Sequence, residues 1–165
     1  TVVGTKMTNL GMRKALTDNG MNFIEADVGD RHVMDHLIKN KAILGGEGSG
    51  HIICLNKSMS GDGIIAALQI LEIVAKSGQS LFNLKSEMTK YPQVLINIKT
   101  EDKVNLNDSK LLELIGTVES KLNHKGRVLV RKSGTEPLVR VMVECADNAL
   151  ATESAKKISE AIQSM

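Results

Sequence analysis

One stretch of the sequence, Gly126–Glu144, restricts the local fold more than any other. Its two ends, GRVLV (Gly126–Val130) and VRVMVE (Val139–Glu144), alternate or run apolar, whereas KSGTEP between them contains the residues typical of a tight turn. Two short apolar runs separated by a glycine-containing turn predict two neighbouring strands. Arg131 and Arg140 therefore stand at the ends of facing strands, where both guanidinium groups can close on one ligand.

The turn between these strands contains the groups that hold a dianionic phosphate. Gly134 permits a positive φ or a close backbone approach, and the N–H groups of the turn, which we expect to be free, form a concave anion site. Ser133 and Thr135 add hydroxyl donors to the two arginine forks. The sequence therefore predicts a phosphate-binding loop of Arg131, Ser133, Gly134, Thr135 and Arg140. The alternative is a solvated turn with two surface arginines.

A second loop, GGEGSGHI at Gly45–Ile52, lies between two short apolar runs and is predicted to join two strands. Its glycines let the backbone bend sharply close to a ligand. Glu47, Ser49 and His51 supply an acceptor, a hydroxyl and a titratable ring, a mixture that suits sugar hydroxyls. We predict that these three residues bind a sugar. The alternatives are a purely structural hairpin and a His51 satisfied within its strand.

Several function classes find no support in the sequence. The glycine-rich loop lacks a GxGxxG that leads from a strand into a helix, and no GK[ST] follows it, so it is neither a dinucleotide fingerprint nor a Walker loop. A net charge of +2 without basic runs argues against nucleic acid or a membrane as the partner. No apolar run has membrane-spanning length, so a cytoplasmic location is expected. Cys54 and Cys145 are interpreted as reduced core residues.

The order of helix-like and strand-like segments predicts two domains. Residues 1–80 alternate strand and helix patterns, which indicates βαβ units around a parallel sheet. Residues 81–92 are interpreted as a short helix and linker that Pro92 ends, and residues 93–165 as strand, helix, two strands and helix. The predicted fold class is α/β: a βαβ sugar-binding domain followed by a small α+β phosphate-binding domain.

Together, the two loops resemble those of a known family, the α-D-phosphohexomutases. GEGSGH is similar to the sugar-binding loop of that family, and RKSGTEPLVR to the phosphate-binding loop of its last domain. The resemblance extends over essentially all 165 residues, with the motifs about eighty residues apart. SGDGI (Ser60–Ile64), VGDRHV (Val28–Val33) and RKSGTEPLVRVMVE favour the bacterial members that act on glucosamine phosphates. Members that act on mannose or glucose phosphates are the alternative.

The resemblance implies a reversible phosphoryl transfer that interconverts glucosamine 6-phosphate and glucosamine 1-phosphate through a bisphosphate. It implies that the glycine-rich loop grips the hydroxyls of this hexosamine phosphate substrate, and that the arginine loop holds the phosphate that is not being transferred. It also implies a substrate-facing role for Asp30 and Arg31. The alternative for Asp30 is that it only begins a helix as its N-cap.

The parts of the family that find no match are equally informative. Family members have four domains, and this chain resembles only the last two. No segment resembles the loop with the phosphorylated serine or the carboxylate-rich magnesium loop, so the catalytic residues and magnesium are expected in N-terminal domains that act as the partner of this chain. No cofactor or metal is expected on the chain itself, where Asp62 or Ser60 should cap a helix. A non-catalytic sugar-phosphate-binding module is the remaining alternative.

Overall fold

The computed structural model describes residues 1–100, 104–123, 125–134 and 136–165 of the chain. Its internal contacts divide the chain into two compact units, Thr1–Lys90 and Tyr91–Met165, called here the first and the second unit. Residues 81–92, interpreted from the sequence as a helix and linker, fall mostly within the first unit. Each unit has a hydrophobic core of its own.

The first unit is built on a four-stranded mixed sheet. The strands are β1 (Val2–Thr5), β2 (Phe23–Ala26), β3 (Leu44–Gly46) and β4 (Ile52–Cys54), and the helices are α1 (Leu10–Asp18), α2 (Asp30–Lys39), α3 (Gly63–Ser77) and α4 (Leu81–Lys85). The strand order is β2-β1-β3-β4, in which β1 is parallel to β2 and β3, and β4 is antiparallel to β3. The predicted βαβ arrangement is confirmed, and the glycine-rich loop joins the antiparallel pair.

The strand order creates a crevice at one end of this sheet. From β1 the chain moves to β2 on one side, and from β2 it crosses back to β3 on the other side of β1. Because parallel crossovers are right-handed, the two connecting helices cover opposite faces of the sheet. Open α/β sheets bind ligands beyond the carboxyl ends of the strands at such a switch point. The glycine-rich loop begins at the carboxyl end of β3, where a ligand site is expected.

Helix α3 begins and ends as its sequence predicts. The Asp62 Oδ1 atom accepts hydrogen bonds from Ile64 N at 2.8 Å and from Ile65 N at 3.0 Å, which is the expected capping role. Gly78 adopts a left-handed φ of 65° at the other end, as helix-ending glycines do. Ile64 and Leu71 are exposed, so the helix leaves apolar side chains on the surface of the first unit.

The second unit consists of a three-stranded antiparallel sheet and two helices. The strands are β5 (Gln93–Lys99), β6 (Gly126–Lys132) and β7 (Leu138–Cys145), and the helices are α5 (Ser109–Leu122) and α6 (Asn148–Gln163). The strand order is β5-β7-β6, so the hairpin strand β7 lies in the centre. The predicted order of strand, helix, hairpin and helix is confirmed, and with it the predicted fold class.

Side chains of the second sheet alternate between a core face and an open face. The core face packs against α5 and α6 with the apolar residues Val94, Ile96, Ile98, Val128, Val130, Val139, Val141 and Val143. The open face carries three rows of residues that are in register across the strands: Gln93–Glu144–Arg127, Leu95–Met142–Leu129 and Asn97–Arg140–Arg131. Both arginines of the predicted phosphate loop therefore lie on the face that the two helices leave uncovered.

The two cysteines are not joined by a disulfide, as the sequence indicated. Cys145 is buried, Cys54 is half-buried, and both are free thiols. Among the described residues, no helix combines the length and the apolar character that crossing a membrane requires.

Candidate functional site

The carboxylate of Glu47 is anchored at the start of the glycine-rich loop. Its Oε1 atom accepts a hydrogen bond of 2.9 Å from Gly29 N, immediately before α2. Gly29 has a φ of 129°, which side chains disfavour, so glycine is needed there to aim this N–H group. The carboxylate thus lies beside the positive end of the α2 dipole. The Glu47 Oε2 atom has no partner within the described part of the chain and remains able to accept from a ligand.

Backbone hydrogen bonds close the glycine-rich loop into a compact turn. Glu47 N donates to His51 O at 2.8 Å, and Gly50 N donates to Glu47 O at 3.1 Å. Gly50 has a φ of 95°, so this position also requires glycine. Ser49 is exposed at the tip of the turn. The turn therefore holds the three predicted sugar-binding residues together at one edge of the sheet.

The ring of His51 is positioned by the segment that precedes α3. Gly61 lies so close to the ring that a Cβ atom at this position would overlap His51 Nε2. The Asp30 Oδ2 atom lies 3.9 Å from the same His51 Nε2 atom. Asp30 Oδ1 accepts from Arg31 N at 2.8 Å, and both residues are exposed. The structure thus brings Asp30 to the predicted sugar-binding loop and leaves the Arg31 side chain in solvent.

An open depression of about 330 Å³ lies beside this loop. It is lined by Ser49, Gly50, His51, Ile52, Gly61, Asp62 and Gly63. The depression offers a surface for one face of a small polar ligand, with a hydroxyl and a ring nitrogen in its wall.

Lys6 is a candidate residue that the sequence analysis missed. It follows the buried strand β1 directly, and its Nζ atom lies 2.6 Å from Oδ1 of Asp27, which follows β2. Their hydrogen bond, and then their charge attraction, raise the pKa of Lys6 and lower the pKa of Asp27. Both side chains stand at the edge of the sheet where the switch point lies. A lysine directly after a buried strand was the signal in the sequence.

The phosphate-loop arginines face each other in the second sheet. Arg131 of β6 is the in-register partner of Arg140 of β7, and Arg140 pairs in turn with Asn97 of β5. Burial, and then the positive charge of Arg140, lower the pKa of Arg131, although a guanidinium stays charged at neutral pH. Like charges directly opposite one another weaken an antiparallel pair. This row therefore places two positive charges next to each other, with an amide beside them.

Arg140 is only partly satisfied by the protein. Its Nη2 atom donates to Glu136 Oε2 at 2.9 Å, but its Nε atom is buried and has no hydrogen-bond partner among the residues that the structure describes. For Arg131, no acceptor is present within the part of the chain that the structure describes. The two guanidinium groups thus keep donors available for an external anion.

A second row of the same face shows how this sheet satisfies an arginine internally. Arg127 pairs in register with Glu144, and its Nε atom donates to Glu144 Oε2 at 2.8 Å. The Glu144 side chain is completely buried and that of Arg127 is mostly buried. The sheet therefore places a carboxylate opposite Arg127 and a second arginine opposite Arg131, which marks the latter row as unusual.

Two details of the predicted phosphate loop differ from expectation. The prediction that its backbone N–H groups are all free is wrong for Ser133, whose N–H donates to Leu138 O at 2.8 Å because strand pairing continues into the turn. Gly134 does not adopt a positive φ, and a Cβ atom there would meet no atom within 4 Å. The turn itself therefore does not require glycine at this position. Thr135 lies outside the described residues.

The described residues do not fit the magnesium ion that the family resemblance implies. Among them, no three His, Cys, Asp or Glu side chains are placed to share a metal ion. The carboxylate of Asp62 already accepts two backbone hydrogen bonds as the cap of α3.

The fold and the two loops together define a class of protein. An α/β unit with a glycine-rich loop at its switch point, followed by an α+β unit with a paired-arginine hairpin, corresponds to the last two domains of a phosphohexomutase. Residues 1–91 match the model of the phosphoglucomutase/phosphomannomutase alpha/beta/alpha domain III, and residues 95–161 match the model of the C-terminal domain. The chain therefore belongs to the phosphoglucomutase/phosphomannomutase family.

Curated relatives narrow the comparison within this family. The chain is 60% identical over 160 residues to the phosphoglucosamine mutase of Ruthia magnifica subsp. Calyptogena magnifica. The aligned residues cover 96% of this chain and 36% of the relative. It is 47% identical over 162 residues to the phosphoglucosamine mutase of Methylococcus capsulatus, over 98% of this chain and 36% of the relative. The chain thus spans 36% of the length of these relatives.

Solved structures share the fold at low sequence identity. The N-acetylphosphoglucosamine mutase of Aspergillus fumigatus, in complex with GlcNAc-6P and magnesium, matches 99% of this chain and 38% of its own with a TM-score of 0.85 and 20% identity. A phosphoglucomutase/phosphomannomutase family protein of Burkholderia thailandensis matches 98% of this chain and 37% of its own with a TM-score of 0.72 and 17% identity. These likenesses establish the fold alone.

Proposed function

We propose that this chain is the substrate-positioning part of a phosphoglucosamine mutase, a cytoplasmic enzyme that interconverts glucosamine 6-phosphate and glucosamine 1-phosphate. Support comes from the family membership and from the relatives of that name at 60% and 47% identity. The phosphoserine donor and magnesium would belong to the portion of the relatives that lies outside these 165 residues. Magnesium, when bound there, would neutralise charge on the transferred phosphoryl group.

The observation that carries this proposal is the facing pair Arg131 and Arg140. Directly opposed like charges cost the sheet up to about 1 kcal/mol, and a buried N–H group without a partner costs about 1–3 kcal/mol. A phosphate dianion between the two guanidinium groups would offset both costs, because its oxygens accept charge-assisted, bidentate hydrogen bonds. Without an anion, the one compensation found among the described residues is the exposed carboxylate of Glu136, which engages Arg140 alone.

Two neighbours of the arginine pair suit the same ligand. Asn97 continues the row and offers amide donors beside Arg140. Gly134 leaves open space where a side chain would otherwise stand, and this space is what an approaching phosphate needs. Ser133 keeps its hydroxyl in the turn although its N–H group serves the hairpin. We assign Arg131, Ser133, Gly134, Thr135 and Arg140 to the phosphate clamp.

The glycine-rich loop suits the sugar. The anchored Glu47 carboxylate has one oxygen that remains able to accept from ring hydroxyls, and the Ser49 hydroxyl and the His51 ring lie in the same turn. Carboxylate acceptors fix hydroxyls through charge-assisted hydrogen bonds. The chain would thus bind and orient the substrate, and positioning supplies much of the rate enhancement in phosphoryl transfer.

Titration with inorganic phosphate tests the clamp in the chain itself. We expect the backbone amide signal of Gly134 to move at millimolar phosphate, and Arg140→Ala to abolish that movement. Lys125→Ala removes one positive charge from the other end of the hairpin and serves as the matched control that should still bind. An unmoved Gly134 signal in the unmodified chain would show that the arginine pair is no phosphate site.

The reaction is tested in a protein of the relatives' full length that contains this chain. We expect turnover of glucosamine 6-phosphate to exceed that of mannose 6-phosphate, and the 165-residue chain alone to convert neither, since it would lack the phosphoryl donor. Preference for mannose 6-phosphate would assign the protein to the phosphomannomutase members of the family.

A further inference from the structure

We propose that Glu136 is an internal counter-ion of the arginine pair, which holds Arg140 when no anion is bound and is displaced when phosphate binds. The inference rests on the proposed phosphate clamp and adds a residue that regulates its affinity. Glu136 Oε2 accepts from Arg140 Nη2 at 2.9 Å, so a carboxylate of the chain already occupies one arm of the fork that phosphate would use.

The contact with Glu136 satisfies Arg140 incompletely. The buried Nε atom of Arg140 stays without a partner, and Arg131 on the facing strand has no acceptor within the described residues. A carboxylate that engages one nitrogen of one arginine offers less than a phosphate, whose oxygens can accept from both guanidinium groups at once. The same donors therefore bind the phosphate more fully than they bind Glu136.

The Arg140–Glu136 pair is more exposed to solvent than the Arg127–Glu144 pair of the same sheet. The Glu136 side chain is 56% exposed, whereas that of Glu144, the partner of Arg127, is 0% exposed. Exposed ion pairs contribute little to stability, because water solvates both charges when they separate. Glu136 can therefore exchange Arg140 for water at small cost, which Glu144 cannot do with Arg127.

The turn can release the Glu136 side chain without losing its own structure. Its backbone is held by Ser133 N to Leu138 O and by Leu138 N to Glu136 O, both at 2.8 Å. Neither bond involves the Glu136 carboxylate. Displacement of the carboxylate is therefore a side-chain rotation, and the hairpin that carries both arginines stays in place.

Competition by Glu136 would have a functional consequence. A carboxylate that returns to Arg140 as phosphate leaves lowers the affinity for phosphate and favours its release. A clamp that must let go of a sugar phosphate after each reaction benefits from such a competitor. An orienting role of Glu136 predicts the opposite result. If Glu136 holds Arg140 in position for phosphate, its removal weakens phosphate binding.

Phosphate titration of the Glu136→Gln variant separates these roles. We expect the dissociation constant for inorganic phosphate to fall roughly threefold to tenfold, because both the competing charge and its repulsion of the anion are removed. Glu119→Gln removes the same charge from an exposed position on α5 and should leave the constant unchanged. The gain should shrink as sodium chloride is raised, since salt screens an exposed charge.

Thermal unfolding without phosphate shows whether Glu136→Gln has altered the fold. If that variant is destabilised, Glu136→Asp replaces it, because the shorter side chain retracts the carboxylate and should also tighten phosphate binding. Unchanged or weaker binding, while the unmodified chain binds phosphate and Arg140→Ala does not, overturns the counter-ion role and leaves the clamp intact. Failure of the unmodified chain to bind phosphate overturns the clamp and the counter-ion together.

Discussion

The glycine-rich loop and the arginine hairpin prepare their ligand groups in opposite ways. Glu47 is already bonded to Gly29 N, and the His51 ring rests against Gly61, so the loop is assembled by contacts within the first unit. In the hairpin, Arg131 and Arg140 face one another, and the one protein acceptor found for the pair among the described residues is the exposed Glu136. The groups of the glycine-rich loop are thus held in place by the protein, whereas the arginines of the hairpin have more hydrogen-bond donors than the described residues have acceptors for them.

This difference suggests what each site requires of its ligand. Neutral hydroxyls bring no charge of their own, so a carboxylate that receives them must be oriented beforehand by the protein. A phosphate brings its own negative charge and compensates arginines that the fold leaves unsatisfied. Mutations in the glycine-rich loop should therefore affect stability as well as binding, whereas mutations of the facing arginines should affect binding almost alone.

The largest effect is expected within the hairpin, which contains a satisfied arginine beside the unsatisfied ones. Arg127→Ala should lower the free energy of unfolding by about 2–3 kcal/mol, because the buried Glu144 carboxylate loses this charged partner. Arg131→Ala removes a charge that faces another positive charge. It should change the free energy of unfolding by no more than about 0.5 kcal/mol. Urea denaturation, followed through amide signals of the second unit, measures both. Equal losses for the two variants would remove the distinction between the rows.

A smaller effect is expected at Glu47. Glu47→Ala removes the acceptor of Gly29 N and should cost about 1 kcal/mol of stability. Glu47→Gln keeps an acceptor oxygen and should retain most of that stability, yet it loses the charge that we propose binds sugar hydroxyls. Thermal unfolding of the chain and turnover in the longer protein separate the two properties. Full turnover in Glu47→Gln would contradict a sugar-binding role, and unchanged stability in Glu47→Ala would contradict the anchoring.

The smallest effect on stability is expected at Gly61. A methyl group there overlaps the His51 ring, but the ring ends a flexible side chain and can rotate away, so Gly61→Ala should cost less than about 0.5 kcal/mol. The imidazole signals of His51 should nevertheless shift clearly in NMR spectra. Gly63→Ala is the matched control, because its Cβ meets open space at the start of α3. Unshifted His51 signals in Gly61→Ala would show that Gly61 does not position the ring.

The hairpin could be predicted from the sequence because its determinants are local. Both strands and the turn lie within Gly126–Cys145, and the valines of both strands lie on the core face. The placement of Arg131 opposite Arg140 follows from that pairing. Asn97 could not be added to the row, because it belongs to a strand that joins the sheet only through tertiary packing. Nor could the Ser133 hydrogen bond be predicted, because it depends on how far pairing continues into the turn.

The glycine-rich loop was predictable in composition but not in geometry. Its residue types indicated a ligand site, yet the bond that orients Glu47 comes from Gly29, eighteen residues earlier in the chain. The pairing of Lys6 with Asp27 likewise depends on the order in which β1 and β2 lie in the sheet. Contacts of this kind arise from topology, which a pattern of residue types along the chain does not specify.

The facing arginines also bear on how the chain reaches its native state. Seven residue pairs hold β6 and β7 in one alignment. A slip of one residue would turn Arg131 toward the core and leave Arg140 without its neighbour. An anion that binds only the correct alignment favours it by mass action, by about 2.7 kcal/mol at one hundred times its dissociation constant. If the arginine pair binds phosphate as proposed, phosphate in the cell would also favour the correctly aligned hairpin during folding.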